Sequence, residues 1–224
     1  MEYEYGYDEN YINQFIDIIR DSYRANIDAL YTKFKTAFDL MGAAWYAPEA
    51  VTTAREIADR QSELCMDVYS KYKYIFDIVI IAAQKWANTV GETYTAPGGN
   101  DFGFPSSFVF DISAVQRTKD GLIAIVPDMI NTLTQLFNDI KEVVSDNMSI
   151  IKSNITKSEA FMGANQMTHL ANSVQQTIDR VNESAGTYLD LFDKKMKETM
   201  TRYKEVARNN AAMFYSAQSF SGTN

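Results

Sequence analysis

FDLMGAAWYAPEAV, residues 38–51, sets a Gly, a lone Trp and a Pro inside an otherwise continuous helical pattern. Before it, apolar residues recur mostly three and four positions apart, at Tyr11, Phe15, Ile18, Tyr23, Ile27, Leu30, Phe34, Phe38 and Met41. After it comes a weaker start at Val51, Ala54 and Ile57, and then the same rhythm at Leu64, Val68, Tyr72, Ile75, Val79, Ala82 and Trp86. That period belongs to helices that bury one stripe. Pro48 followed by Glu49 suits a first helical turn, where the missing N–H costs nothing and an acid favours the dipole. The stretch therefore predicts a turn near 41–48 between two long helices. Gly42 would permit the reversal, Pro48 and Glu49 would start the return helix, and Trp45 would pack across both.

The second half repeats the scheme. GETYTAPGGNDFGFPSS, residues 91–107, holds several Gly and two Pro and reads as a loop that divides the chain. FVFDISAVQRTKDG, which follows it, reads as a short helix or an ordered crossover. Pro127-Asp128 opens a third stripe, Leu133, Phe137, Ile140, Val144, Met148, Ile151 and Ile155. A fourth runs through Val174, Ile178, Val181, Ala185, Tyr188, Phe192, Met196, Met200, Tyr203 and Val206. The expected organisation is a first hairpin over 1–91, a linker and crossover over 92–125, and a second hairpin over 126–224 with its turn near 159–166 and a flexible C-terminal tail. Helices of about 33 and 42 residues, then about 33 and 43, would measure about 50 and 65 Å at 1.5 Å per residue. The matched lengths suggest an internal repeat. Met41-Gly42-Ala43 aligns on Met162-Gly163-Ala164, and Ile57 on Ile178, at one offset.

A hairpin this long exposes a seam that one partner helix leaves open, so two hairpins packed face to face form the natural closed object. The fold class expected is all-α, an elongated antiparallel four-helix bundle made of two long helical hairpins.

Composition narrows function mainly by exclusion. The 224 residues are 46% hydrophobic and 22% charged, as in a folded globular protein. A formal net charge of -8 and the lack of any basic run argue against a nucleic-acid partner. The opening MEYEYGYDENY has neither a basic n-region nor an apolar h-region, so a cleaved secretory signal is not expected. The run from Tyr74 to Gln84 contains Asp77 and falls short of the roughly 20 residues that span a bilayer, so no stable membrane anchor is expected.

Certain residues also carry a resemblance. Trp45-Tyr46-Ala47 is an interhelical Trp, one residue and a small residue, with Ala50 following; Ile123, Val126, Pro127 and Asp128 lead into a helix; Tyr203 and Val206 stand near the end of a long one. Each half thereby resembles the WXG family of helical hairpins, relatives of the early secreted antigenic target proteins exported by type VII secretion systems. The match implies a bacterial, non-enzymatic interaction protein, a single-chain tandem of two hairpins. It would be secreted or placed at the cell surface by a route needing no signal peptide, and cytoplasmic before export. It also implies protein partners, either the secretion machinery or a cognate helical protein. Ala47 stands where the family usually has Gly, and Gln166 where a second Trp would align. The family's export signal, a Tyr with an acid four residues on, follows the second helix. Tyr203 has Ala207 at that spacing, and the pattern is met only by Tyr5 with Glu9. Tyr5, Glu9 and Tyr203 are the candidate export or recognition residues.

No catalytic, cofactor or metal site is expected. The lone His169 is not preceded by a Glu-x-x pair, and one Cys with one His supports neither zinc nor a triad. Cys65 falls on a stripe and reads as an inert thiol. The glycines of APGGNDFGF lack a phosphate-loop Lys, and Glu56, Asp59, Glu63 and Asp67 follow the spacing of a solvated helix face. Tyr3, Tyr5, Tyr7 and Tyr11 precede the first seam and read first as a flexible terminus, with an exposed Tyr-rich surface for protein recognition as the alternative. Besides the interaction reading stands a membrane-active, pore-forming-like one, in which Ile75–Ala83 inserts after a rearrangement; the chain could also form a homo-oligomer.

Overall fold

The computed structural model describes residues 6–157, 161–162 and 164–220. They are mostly helical, as the periodicity predicts. Four helices form: α1 (Glu9–Ala44), α2 (Pro48–Thr89), α3 (Pro127–Lys157) and α4 (Ala164–Phe220). Asp8 caps α1, its carboxylate accepting from the N–H groups of Asn10 at 2.9 Å and Tyr11 at 3.3 Å. Pro48 and Pro127 open α2 and α3 at the position where a missing N–H is harmless. At 57 residues, α4 is far longer than the roughly 43 that its stripe suggests. No Gly or Pro interrupts the stretch from Tyr203 to Phe220, so nothing ends the helix where the apolar rhythm weakens.

Four two-residue strands accompany the helices: β1 (Gly6–Tyr7), β2 (Trp45–Tyr46), β3 (Ala124–Ile125) and β4 (Phe161–Met162). No alternating stretch announces them, because a strand of two residues has no room for a period. They pair reciprocally and antiparallel. β1, just before α1, pairs with β4 between α3 and α4, with Tyr7 opposite Phe161. β3, just before α3, pairs with β2 between α1 and α2, with Trp45 opposite Ile125. The start of α1 thus meets the end of α3, and the end of α1 meets the start of α3, so the two run in opposite directions. α1 packs on α2 and α3, and α4 packs on α2 and α3.

The core is aliphatic and aromatic, with Ile16, Ile19, Leu30, Phe34, Phe38, Val68, Ile75, Phe76 and Val79 buried from α1 and α2. Leu133, Ile140 and Met196 join it from α3 and α4. Tyr11, expected on the first seam, is exposed, and its neighbour Ile12 is buried instead. Lys33 with Asp139 at 3.5 Å links α1 to α3, while Lys195 with Glu56 and Arg202 with Glu49 link α4 to α2. These pairs are partly exposed and contribute about 0–1 kcal/mol each, so burial holds the helices together.

The glycine-rich loop is no free tether. Residues 91–123 carry no helix, yet Tyr94, Phe102, Phe108 and Phe110 are buried. The segment follows α1 from its start to its end: the Tyr94 hydroxyl donates to Asn13 at 2.8 Å, Tyr23 meets Phe104 with ring centres 4.7 Å apart, and Tyr31 stacks on Phe110 at 4.8 Å. Arg20 clamps its beginning. The guanidinium donates to the carbonyls of Pro97, Gly99 (2.9 Å) and Asp101 (2.8 Å) and lies over the Phe76 ring. Gly98 and Gly99 have φ of +71° and +97°, which only glycine adopts without strain, and so bring those carbonyls together. This strap carries the chain along the molecule to the place where β3 and α3 begin.

Candidate interaction site at the Trp45 end

Trp45 is fully buried, in extended conformation at φ -144° and ψ 107°. The reversal is made by extended residues, Trp45 to Ala47, and Ala47 has φ -165°. Gly42 has a different part from the one read in the sequence. It lies inside the last turn of α1, and a Cβ there would stand 2.2 Å from the Ala114 carbonyl oxygen. Its missing side chain admits the strap rather than the turn. Beside it, the Val126 N–H donates to the Ala44 carbonyl at 2.7 Å, extending the β2–β3 pairing.

Around this end, Arg202 reaches Glu49 at 3.4 Å, and Tyr203 is half-buried. The Trp45 indole N–H has no partner of sound hydrogen-bond geometry, although it lies near enough to the Tyr203 hydroxyl to favour that group's ionised form. Burial and then Glu49 act more strongly in the other direction, and the Tyr203 pKa is raised. A cavity of about 330 Å³ borders the strap nearby, lined by Tyr31, Lys35, Phe38, Phe110, Asp111 and Ala114. Another, of about 380 Å³, lies between Glu49, Thr53, Lys195, Thr199 and Arg202.

The structure brings Gly42, Trp45, Ala47, Pro48 and Tyr203 to one end. Glu9 is at the other, exposed in the first turn of α1, where it favours the helix dipole beside the Asp8 cap. Its expected companion Tyr5 lies outside the described residues. The strand register also moves a correspondence. Phe161 occupies in β4 the position that Trp45 occupies in β2, each opposite the second residue of a leading strand. The aromatic counterpart of Trp45 is therefore Phe161, five residues before Gln166, which sits in the first turn of α4. Sequence identity pointed elsewhere because Met41 and Gly42 end α1, whereas Met162 is in β4. His169 is inside α4.

Among the described residues, no cluster of three or more His, Cys, Asp or Glu could hold a metal ion, and no helix is long and apolar enough to cross a membrane. Among the described residues, the buried polar groups are hydroxyls of Tyr, Ser and Thr, the amides of Asn26 and Gln61, the Trp45 indole N–H and the Cys65 thiol. Tyr72 shares its hydroxyl with Ser22 at 2.9 Å and Asn26 at 3.2 Å, and burial pushes its pKa up to about 12. Burial pushes Cys65 and Tyr94 up to about 12 as well. Each is an acid whose folded-state pKa is raised, so its neutral form favours the folded state fully below the ordinary pKa and loses that advantage as pH rises through the raised one. Stability measured by denaturant titration should hold up to about pH 9, the ordinary Cys65 value, and fall progressively towards pH 12. A stability that is flat across that window would contradict the burial of these groups. Cys65 should likewise resist a thiol reagent at pH 8 until the protein unfolds.

No protein-family model, curated protein or solved structure matches the chain.

Proposed function

We propose that this chain is a non-enzymatic helical interaction protein, a single-chain tandem of WXG-type hairpins that serves as a type VII secretion substrate or as a partner or adaptor of one. In this reading the four helices close into an elongated antiparallel four-helix bundle, and α1–α2 and α3–α4 are its two hairpins. The observation that carries it is the reciprocal strand pairing, in which the residues leading into each hairpin dock on the other hairpin's turn. The turns themselves support it: Trp45-Tyr46-Ala47 is matched at the equivalent register by Phe161-Met162, with Gly163 next in the sequence. Two hairpins completing each other through their turns offer ends and outer faces for recognition.

Export compared between a wild-type strain and one lacking the type VII ATPase tests the proposal. Loss of the protein from the medium in the second strain is the expected result, and equal export sinks it. The membrane-active reading would have to extract Ile75, Val79 and Ala83, all buried in α2, from the core. Release of dye from loaded liposomes at any pH would favour it instead.

A further inference from the structure

The cleft of about 380 Å³ between the first turns of α2 and residues 195–202 of α4 is bordered by polar groups of two kinds, those already paired and those left over. Arg202 is taken by Glu49 at 3.4 Å and by the Thr199 hydroxyl oxygen at 3.3 Å. Lys195 is taken by Glu56, and the Thr52 hydroxyl donates to the Pro48 carbonyl at 3.3 Å. Three features remain. Thr53 is only 4% exposed and lines the cleft, yet its hydroxyl makes no hydrogen bond among the described residues. A hydroxyl that far from bulk water is costly to leave unmatched unless something in the cleft meets it. Close by, the start of α2 has no side-chain cap. Ala47 offers none where Asp8 caps α1, Pro48 has no N–H, and the Glu49 N–H stands too early for a helical partner. Across the cleft on α4, Glu198 is the one charged group lining it that has no ion pair among the described residues.

We propose that this cleft binds a small zwitterion of the free amino-acid class. Its carboxylate sits at the uncapped start of α2, where the helix end is positive, and accepts from the Thr53 hydroxyl. Its ammonium lies beside Glu198. The left-over groups select both charges together. A simple anion would meet the positive helix end and Thr53 but face Glu198 unpaired, with Glu49 already beside it. A simple cation would match Glu198 but leave the helix end uncapped. The volume also lies in the range of small-molecule sites. Because the cleft is walled by α2 on one side and α4 on the other, an occupant fastens the two helices and stabilises the fold as its concentration rises. This inference goes beyond the proposed secretion role and concerns the purified chain alone, so it stands or falls independently of the export result.

Amide NMR spectra of the isotope-labelled full chain, titrated in turn with each of the common L-amino acids, test it. Sodium acetate, sodium phosphate and methylammonium chloride serve as single-charge probes at the same concentrations. At least one amino acid is expected to shift the Thr53 and Thr199 signals saturably and to raise the melting temperature, with the single-charge probes binding at least tenfold more weakly. Glu198→Gln and Thr53→Val should each weaken that binding about tenfold, since each removes one hydrogen-bonding partner of a charged group. Glu198 is exposed, so Glu198→Gln keeps the fold and carries the test even where Thr53→Val loosens the core. Three results overturn the proposal: no amino acid shifts these signals, acetate or phosphate binds as tightly as the best amino acid, or binding is undiminished in Glu198→Gln or in folded Thr53→Val.

Discussion

Trp45→Ala is expected to lower the unfolding free energy by about 3–5 kcal/mol, measured by denaturant titration. The side chain is wholly buried where β2, β3 and the start of α2 meet, so its removal leaves a cavity that three elements cannot readily collapse into. Trp45→Phe should cost far less. It keeps most of the apolar volume and removes an indole N–H that has no sound partner, which by itself costs about 1–3 kcal/mol to bury. An equal loss in both variants would show that the indole N–H matters more than packing.

Gly42→Ala is the second large effect, and its sign opposes local propensity. Inside a helix, Gly to Ala normally stabilises by about 0.5–1 kcal/mol. Here the new Cβ would meet the Ala114 carbonyl oxygen and carbon at 2.2 and 2.7 Å, and both are backbone atoms that cannot rotate away. The strap must shift from α1, and overpacking of this kind costs about 1–3 kcal/mol. Net destabilisation is therefore expected, together with faster proteolysis of residues 97–121. A gain in melting temperature would show that the strap does not rest on Gly42.

How much of this was open to a reader of the sequence differs from one element to the next. Pro48 and Pro127 each stand before an acid and an apolar stripe, and both begin helices, because a helix start is a local matter of one missing N–H and one favourable charge. The extent of α4 was legible in the absence of any breaker between Tyr203 and Phe220, but the fading stripe suggested an earlier end. Stripe and helix part company there because α4 continues after its packing partners stop. The strap was hidden more deeply. Gly98, Gly99 and Gly103 signal irregular backbone whether a loop floats or packs, and only the density of Tyr94, Phe102, Phe104, Phe108 and Phe110 hinted that it would be buried. The kinship of Trp45 and Phe161 needed the strand register, since it rests on partners far away in the chain, Ile125 for Trp45 and Tyr7 for Phe161.

In the proposed reading, one chain does what two separate hairpins would do, with the strap fixing the path between them. The claim at the centre is that the lead into the second hairpin docks on the first hairpin's turn within the same molecule. Tyr46→Cys combined with Ala124→Cys tests it most directly. The two are opposite each other in β2 and β3, where antiparallel Cα atoms stand about 4.5–5.5 Å apart, inside the range a disulfide accepts. Cys65 is buried and stays out of the reaction. Mild oxidation of the folded protein should give an intrachain disulfide, running as a single chain on a non-reducing denaturing gel. Cross-links only between chains, or none at all while helical content is intact, would contradict the account.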